Sequence, residues 1–304
     1  MSPVDMTLRA TGSPARLRGM SKAHDDTLIA LSFRALHQWH AGVQEAFAHV
    51  EEPDALRYLA LALGHLVTIE SVMISLERKD RPPHLLFQQG IPEQYRDSII
   101  DRYFSGGYLL DPFCLAVEQG LAEGFYHLEE IAPDNFFDSE YYKTYYLKAG
   151  CSEDSFYIVD LGNNSKVSVS LFQGFGGECL RADQLNLLRA VEPMVRELIA
   201  QFAKRGLQRN AAIYEQGVIA DSTQAGIKLS IQAAFENFGC DLLTDREREV
   251  AHMILRGHSV KSTASEMGIS PETVRMHRKN LYLKLGVSSQ SELFAQFIEW
   301  LRQD

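Results

Sequence analysis

Little in this chain speaks for metal or redox chemistry. Its 304 residues hold four cysteines, Cys114, Cys151, Cys179 and Cys240, far apart and without any CxxC or CxxH spacing. That excludes a zinc knuckle and a redox pair, and isolated free thiols suit a reducing compartment. Basic residues near the start (Arg9, Arg16, Arg18, Lys22) have no apolar run behind them, so no secretory signal is expected. The most apolar stretch, "LALGHLVTIESVMISL" (Leu61 to Leu76), contains His65 and Glu70 and is too short to span a bilayer. A soluble, cytoplasmic protein without a membrane partner is expected. "GFGGE" is not a G-x-G-x-x-G fingerprint, and His37, His40, His65, His84 and His127 show no ligand spacing. No Ser/His/Asp or Cys/His set can be assembled. The expectation is no enzyme, no cofactor and no metal.

What is present is an uneven charge. The formal net charge is −10, which excludes a polycation that coats nucleic acid without discrimination. From Leu243 to Asp304, however, nine basic residues meet eight acidic ones, whereas the remainder carries 21 against 32. A neutral-to-basic module attached to an acidic one follows.

The pattern along the chain divides it. Residues 1–23, with Pro3, Gly12, Pro14 and Gly19, are expected to be disordered. Residues 24–204 read as one sensor-like domain. Apolar spacing of three and four predicts a helix from His24 to Val50, and "PDALRYLALALGH" a second with Pro53 in its first turn. "LVTIESVMISLER" and "HLLFQQG" read as strands about "KDRPP", and "PEQYRDSIIDRYF" as helix. An aromatic tract follows, with fourteen Tyr and Phe residues from Tyr103 to Tyr157, for which short helices and loops are expected. "DSFYIVDL" and "KVSVSLFQG" form a hairpin about "GNNS", and a long helix runs from about Ala182 to Lys204. This order predicts an α+β domain, an antiparallel sheet flanked by helices in the GAF/PAS-like manner. Alternating strands and helices, which a phosphoacceptor receiver needs, are missing. Residues 205–242 read as a linker with one further helix near 229–237, and residues 243–304 as a separate all-α module.

In that last module the helix ends are written in capping residues. Thr244 with Glu247 and Ser289 with Glu292 are capping boxes, and Ser270-Pro271 places a hydroxyl cap before a first-turn proline. Gly257, Gly268 and Gly286 are candidates for left-handed C-terminal positions. Four helices are predicted, about 245–256, 260–267, 271–284 and 290–302, the second and third joined by "MGIS" as in a helix-turn-helix. At about 100° per residue, Val274, Leu281 and Leu285 form the buried stripe of the third helix. Arg275, Met276 and Lys279 face outward, Thr273, His277, Asn280 and Lys284 form a polar flank, and Arg278 must snorkel from the edge of the buried stripe. Only Glu272 is acidic in this helix, whereas a merely solvated helix mixes in acids at i±4.

Residues 243–301, from "LTDREREV" through "MGIS" and "KLGV" to "SEL", resemble the LuxR/FixJ-type helix-turn-helix of bacterial transcription regulators. The resemblance implies that the third helix enters the major groove of double-stranded DNA, with Arg275, Met276 and Lys279 on base edges and Lys261, Thr273, His277 and Lys284 on phosphates. It further implies that Leu293, Phe294, Phe297, Ile298 and Leu301 of the fourth helix pack the core and assist a homodimer. The sequence departs from the family at "VKSTA", where Ser262 and Thr263 stand in place of a Glu and an Ile.

"GGYLLDPF" followed by "GFYHLEEI" resembles the autoinducer-binding domain of quorum-sensing LuxR regulators over about residues 90–200. The resemblance implies a small-molecule effector held by Asp111 and lined by Tyr103, Tyr108, Phe125 and Tyr126. The tryptophan that the family places before the Asp has no counterpart, since only Trp39 and Trp300 occur. This weighs against a typical acyl-homoserine lactone, and a small molecule bearing an amine or amide fits a carboxylate among aromatic rings. An aromatic tract serves equally as core, and Asp111 equally as an N-cap before a proline. A ligand-responsive regulator is the reading. A ligand-independent one, whose first domain only dimerises or binds a protein partner, is the alternative.

Overall fold

The computed structural model describes residues 31–78, 81–104, 106–174, 179–207, 209, 234–235 and 237–301. The expected disordered start, the "KD" turn at 79–80, "FGGE" at 175–178 and most of the expected linker helix lie outside the described residues.

Two helices open the chain, α1 (Phe33–Ala48) and α2 (Asp54–Leu66). Strands β1 (Ser71–Arg78) and β2 (Arg81–Gln89) follow, then a short helix α3 (Glu93–Arg96) that runs on through a wider turn to Phe104. Asp111 caps α4 (Pro112–Glu118), with its side chain accepting from Phe113 N–H and proline at the first helical position. "GFYH" is a strand, β3 (Gly124–His127), where the sequence reading expected helix and loop. Four residues are too few to declare a period, and pairing to β4 decides the conformation. The hairpin β4 (Glu153–Gly162) and β5 (Ser165–Gln173) turns at Asn163 and Asn164, both with positive φ, and leads to α5 (Ala182–Phe202).

All pairings are antiparallel, in the order β2-β1-β5-β4-β3. Side-chain alternation gives this sheet two unlike faces. One presents Val72, Ile74, Val159, Val167, Val169 and Leu171 to the buried stripes of α1, α2 and α5. The other presents Met73, Phe156, Ile158 and Phe172 to the aromatic tract. That second face also carries acids and hydroxyls: Ser75 and Ser168 are 2.8 Å apart, and both donate to Glu77.

The C-terminal module is α6 (Asp245–Leu255), α7 (Val260–Met267), α8 (Pro271–Leu285) and α9 (Gln290–Leu301). Gly257, Gly268 and Gly286 take positive φ, as their C-terminal positions require. The box at Thr244 and Glu247 closes in both directions. At α9 only half of one forms: Ser289 Oγ accepts from Glu292 N–H, whereas the Glu292 carboxylate turns to Ser288. Val274 and Leu281 lie in the core with Leu293, Phe297 and Leu301. Phe235 stacks on Phe297 and Phe238 meets Trp300 edge-on, so residues upstream of 243 pack into the same core. Leu281 is fully buried, and Leu281→Ala is expected to cost about 2–5 kcal/mol. Chemical denaturation followed by far-ultraviolet circular dichroism reads the loss.

Candidate functional site

The α8 surface is built by its ends. Ser270 Oγ accepts from Thr273 N–H at 3.1 Å, Pro271 fixes the first turn, and Gly286 stops the helix. Burying Val274 and Leu281 turns Arg275, Met276, Arg278 and Lys279 to solvent, with Met276 52% exposed. Arg278 stands exposed and shares a basic recess with Arg275, Lys279, Tyr282 and Ser288 to Gln290. Thr273, His277 and Asn280 are half-buried along the flank. Lys261 is exposed in the first turn of α7. Arg275 donates to Glu272 at 3.1 Å, an exposed pair that a competing phosphate displaces at little cost.

Lys284 is placed otherwise. Its Nζ lies 2.6 Å from Oε2 of Glu247, which is 4% exposed. Burial raises the Glu247 carboxyl, but bonds from Lys284 and Thr244 outweigh it and leave the pKa below the ordinary value. Lys284 therefore ties α8 to α6.

A second candidate lies on the polar face of the sheet. Met73, Ile99, Phe156 and Phe172 join Tyr103, Tyr141, Tyr145, Tyr146, Asp111 and Asp154 around a cavity with about 30 Å³ of room for water-sized molecules. That is space for one or two waters. Asp111 is 4% exposed, and burial raises its pKa to about 6 against hydrogen bonds from Tyr103, Phe113 and Cys114. Burial likewise raises Glu77 to about 7, with nearby Asp111 adding to it. Tyr103 and Cys114 link the two acids: the hydroxyl is 3.3 Å from Cys114 Sγ, which lies 3.8 Å from Glu77 Oε2. Of the five residues expected to line an effector site, Tyr103 and Asp111 border this cavity and three do not. Tyr108 is buried in the core on the same side of the sheet. Phe125 pairs with Tyr157 and packs on the opposite face of the sheet, because residues 125 and 126 of a strand point to opposite sides. Tyr126 keeps to the cavity's side, but its hydroxyl binds the Ala122 carbonyl at 3.0 Å. Asp154, which sequence reasoning passed over, borders the cavity. The available signal was an acid in register with Phe156 and Ile158 in an otherwise apolar row.

The two halves of the chain meet at α7. The Asp134 carboxylate accepts from Ser259 N–H (2.9 Å), Ser259 Oγ (2.6 Å) and Ser262 Oγ (2.7 Å). Asn135 N–H donates to the Gly257 carbonyl at 3.0 Å. Ser262, one of the two departures from the family pattern, is thus used in this contact, while Thr263 is 1% exposed in the module's core. Slight burial raises the Asp134 carboxyl, but the bonds from Ser259 and Ser262 prevail and bring its pKa to about 2.

Residues 241–296 match the family described as bacterial regulatory proteins, luxR family. The Aeromonas salmonicida protein called "Putative HTH-type transcriptional regulator in exeN 3'region" is 32% identical over 191 residues, 63% of this chain and 94% of that protein. Transcriptional regulatory protein UhpA of Escherichia coli strain K12 is 55% identical over 53 residues, 17% of this chain and 27% of UhpA. Among solved structures, the VqsR LBD domain from Pseudomonas aeruginosa resembles 55% of this chain and 97% of its own, with a TM-score of 0.48 and 25% identity. No described helix is long and apolar enough to cross a membrane.

Proposed function

The chain belongs to the luxR family of bacterial regulatory proteins, and from that premise we propose that it controls transcription in response to a small molecule held in the cavity beside Asp111. It is a transcription regulator and not an enzyme. The observation that carries the DNA side of the reading is the outward face of α8: Arg275, Arg278 and Lys279 exposed together, with one acid in the helix. Arg275, Met276 and Lys279 read base edges, while Lys261, Thr273 and His277 hold phosphates, and a homodimer engages two half-sites. Lys284, bonded to Glu247, contributes less to phosphates than its charge suggests.

Fluorescence anisotropy on an operator selected from random duplexes tests this. Arg275→Ala is expected to cost about 1–3 kcal/mol and to relax specificity at one base position. Lys261→Ala is expected to weaken all sequences alike and to reduce the salt slope by about one. Equal, sequence-independent losses in both variants would refute the assignment of roles.

The effector side rests on a cavity that joins acids and aromatic rings in a water-poor setting. An effector acts by binding one arrangement of the chain more tightly than another. The small volume favours a second reading, in which the first domain only dimerises or docks a protein. A thermal-shift screen of amines, amides, lactones and acids separates the two: stabilisation lost in Asp111→Ala supports sensing, and silence across the screen supports the second.

A further inference from the structure

Two acids border the cavity of the first domain, and the fold treats them differently. Asp111 is engaged: its Oδ1 accepts from Phe113 N–H at 2.7 Å, and the Tyr103 hydroxyl also bonds to it. Asp154 is 1% exposed, and its Oδ1 has no hydrogen-bond partner among the described residues. Both border the same space as Tyr103, Tyr141, Tyr145 and Tyr146, and no Lys, Arg or His borders it. A buried carboxyl oxygen without a partner is destabilising, and a second acid nearby adds repulsion whenever both ionise. Packing gains nothing from this arrangement. A ligand that brings N–H donors and a positive charge turns both penalties into attraction, and the tyrosine faces add to it.

We propose that Asp154, together with Asp111, selects a small organic cation as the effector, with a protonated amine or guanidinium head seated between the two carboxyls. This rests on the sensing reading above and narrows it. The room available suits such a head alone. Tyr145, only partly buried and stacked on Tyr141 at 4.8 Å, borders the side by which the rest of the molecule leaves. Burial keeps both acids protonated more readily than free carboxyls, raising Asp111 to about 6 and Asp154 well above the ordinary carboxylate value, so a cation entering the cavity expels a proton. The other titratable groups bordering the space are Tyr103, Tyr141, Tyr145, Tyr146 and Cys151, all raised by their surroundings where a shift is resolved, and none supplies positive charge.

Titration calorimetry of the full chain at pH 7.5 with n-butylamine and agmatine, against n-butanol and butyrate, tests the inference. At least one amine is expected to bind ten or more times tighter than butanol, and heats in two buffers of unlike ionisation enthalpy reveal proton release. Asp154→Asn is expected to weaken amine binding at least tenfold with an unchanged circular-dichroism spectrum. Butanol binding as well as the amines, or the variant binding amines like the parent chain, overturns the charge assignment and leaves sensing intact. Failure of both amines overturns it too. Failure of every compound in the wider screen defeats the sensing reading as well. The comparison of amine with alcohol needs no variant, so it decides the matter even if Asp154→Asn does not fold.

Discussion

Gly257→Ala is expected to part the helix-turn-helix module from the first domain while leaving both folded. The residue has φ of 88°, and a Cβ there lies 2.8 Å from Phe136 Cα and 3.3 Å from Phe136 N. Those are backbone atoms, so no side chain can swing aside. The left-handed conformation alone costs an alanine about 1–2 kcal/mol, which the module's own core absorbs. The clash is borne by the contact between domains, where Asn135 N–H reaches the Gly257 carbonyl. Small-angle scattering is expected to show a larger radius of gyration, and limited proteolysis faster cutting between residues 205 and 242. Asp134→Ala acts on the same contact more gently. It removes three acceptor bonds at Ser259 and Ser262, but the carboxylate is exposed, and solvent screening reduces its worth to about 1 kcal/mol. Because that carboxylate sits on the N-terminus of α7, the helix that carries Lys261, its removal is also expected to raise the full chain's DNA affinity a few-fold. A scattering profile that Gly257→Ala leaves unchanged would mean that the domains do not meet at this glycine in solution.

How much of this was legible in the sequence depends on how local the cause is. The four helices of the C-terminal module fall within about one residue of their expected ends, because caps and glycines are short-range signals: Thr244 with Glu247, Ser270-Pro271, Gly268 and Gly286 each act within one turn. The β4–β5 hairpin was equally plain from alternation and the "GNNS" turn. "GFYH" was not, since its pairing with Ser155 to Ile158 is a long-range fact, and with it went the face on which Phe125 lies. Lys284 looked like a free cation because its partner Glu247 is thirty-seven residues away. The docking of Asp134 on Ser259 and Ser262 spans more than a hundred residues and leaves no periodic trace. Asp154 differs from these. Once the strand was recognised, an acid in register with Phe156 and Ile158 was a visible anomaly, and binding sites are where local rules are broken.

Asp111→Asn is expected to stabilise the first domain above pH 6 and to flatten its pH dependence. The folded-state pKa stands at about 6, raised from 3.8 chiefly by burial. A raised carboxyl binds protons more tightly in the folded chain than in the unfolded one. The stabilisation it confers is complete below about pH 4 and is lost as pH rises through 6, a total of about 3 kcal/mol at 1.36 kcal/mol per pKa unit. Asparagine keeps an acceptor for Phe113 N–H and never ionises, so this loss disappears. One amide N–H left without a partner takes back about 1 kcal/mol, leaving a net gain near 2 kcal/mol at pH 8. For a domain of this size that is a rise of roughly 4–8 °C in Tm. Glu77, raised to about 7 chiefly by burial with Asp111 adding to it, keeps a slope of its own between about pH 5 and 7 that Glu77→Gln is expected to remove, while Asp154, raised well above the ordinary carboxylate value by burial, still titrates in both variants. Thermal melts of the parent chain and both variants from pH 4 to 8 measure these slopes. A variant at Asp111 that melts lower than the parent at pH 8, with the slope between pH 4 and 6 intact, would show that the carboxyl ionises freely in the fold. The cavity would then be a wet and ordinary one, and a buried acid pair would no longer be available to grip a cation.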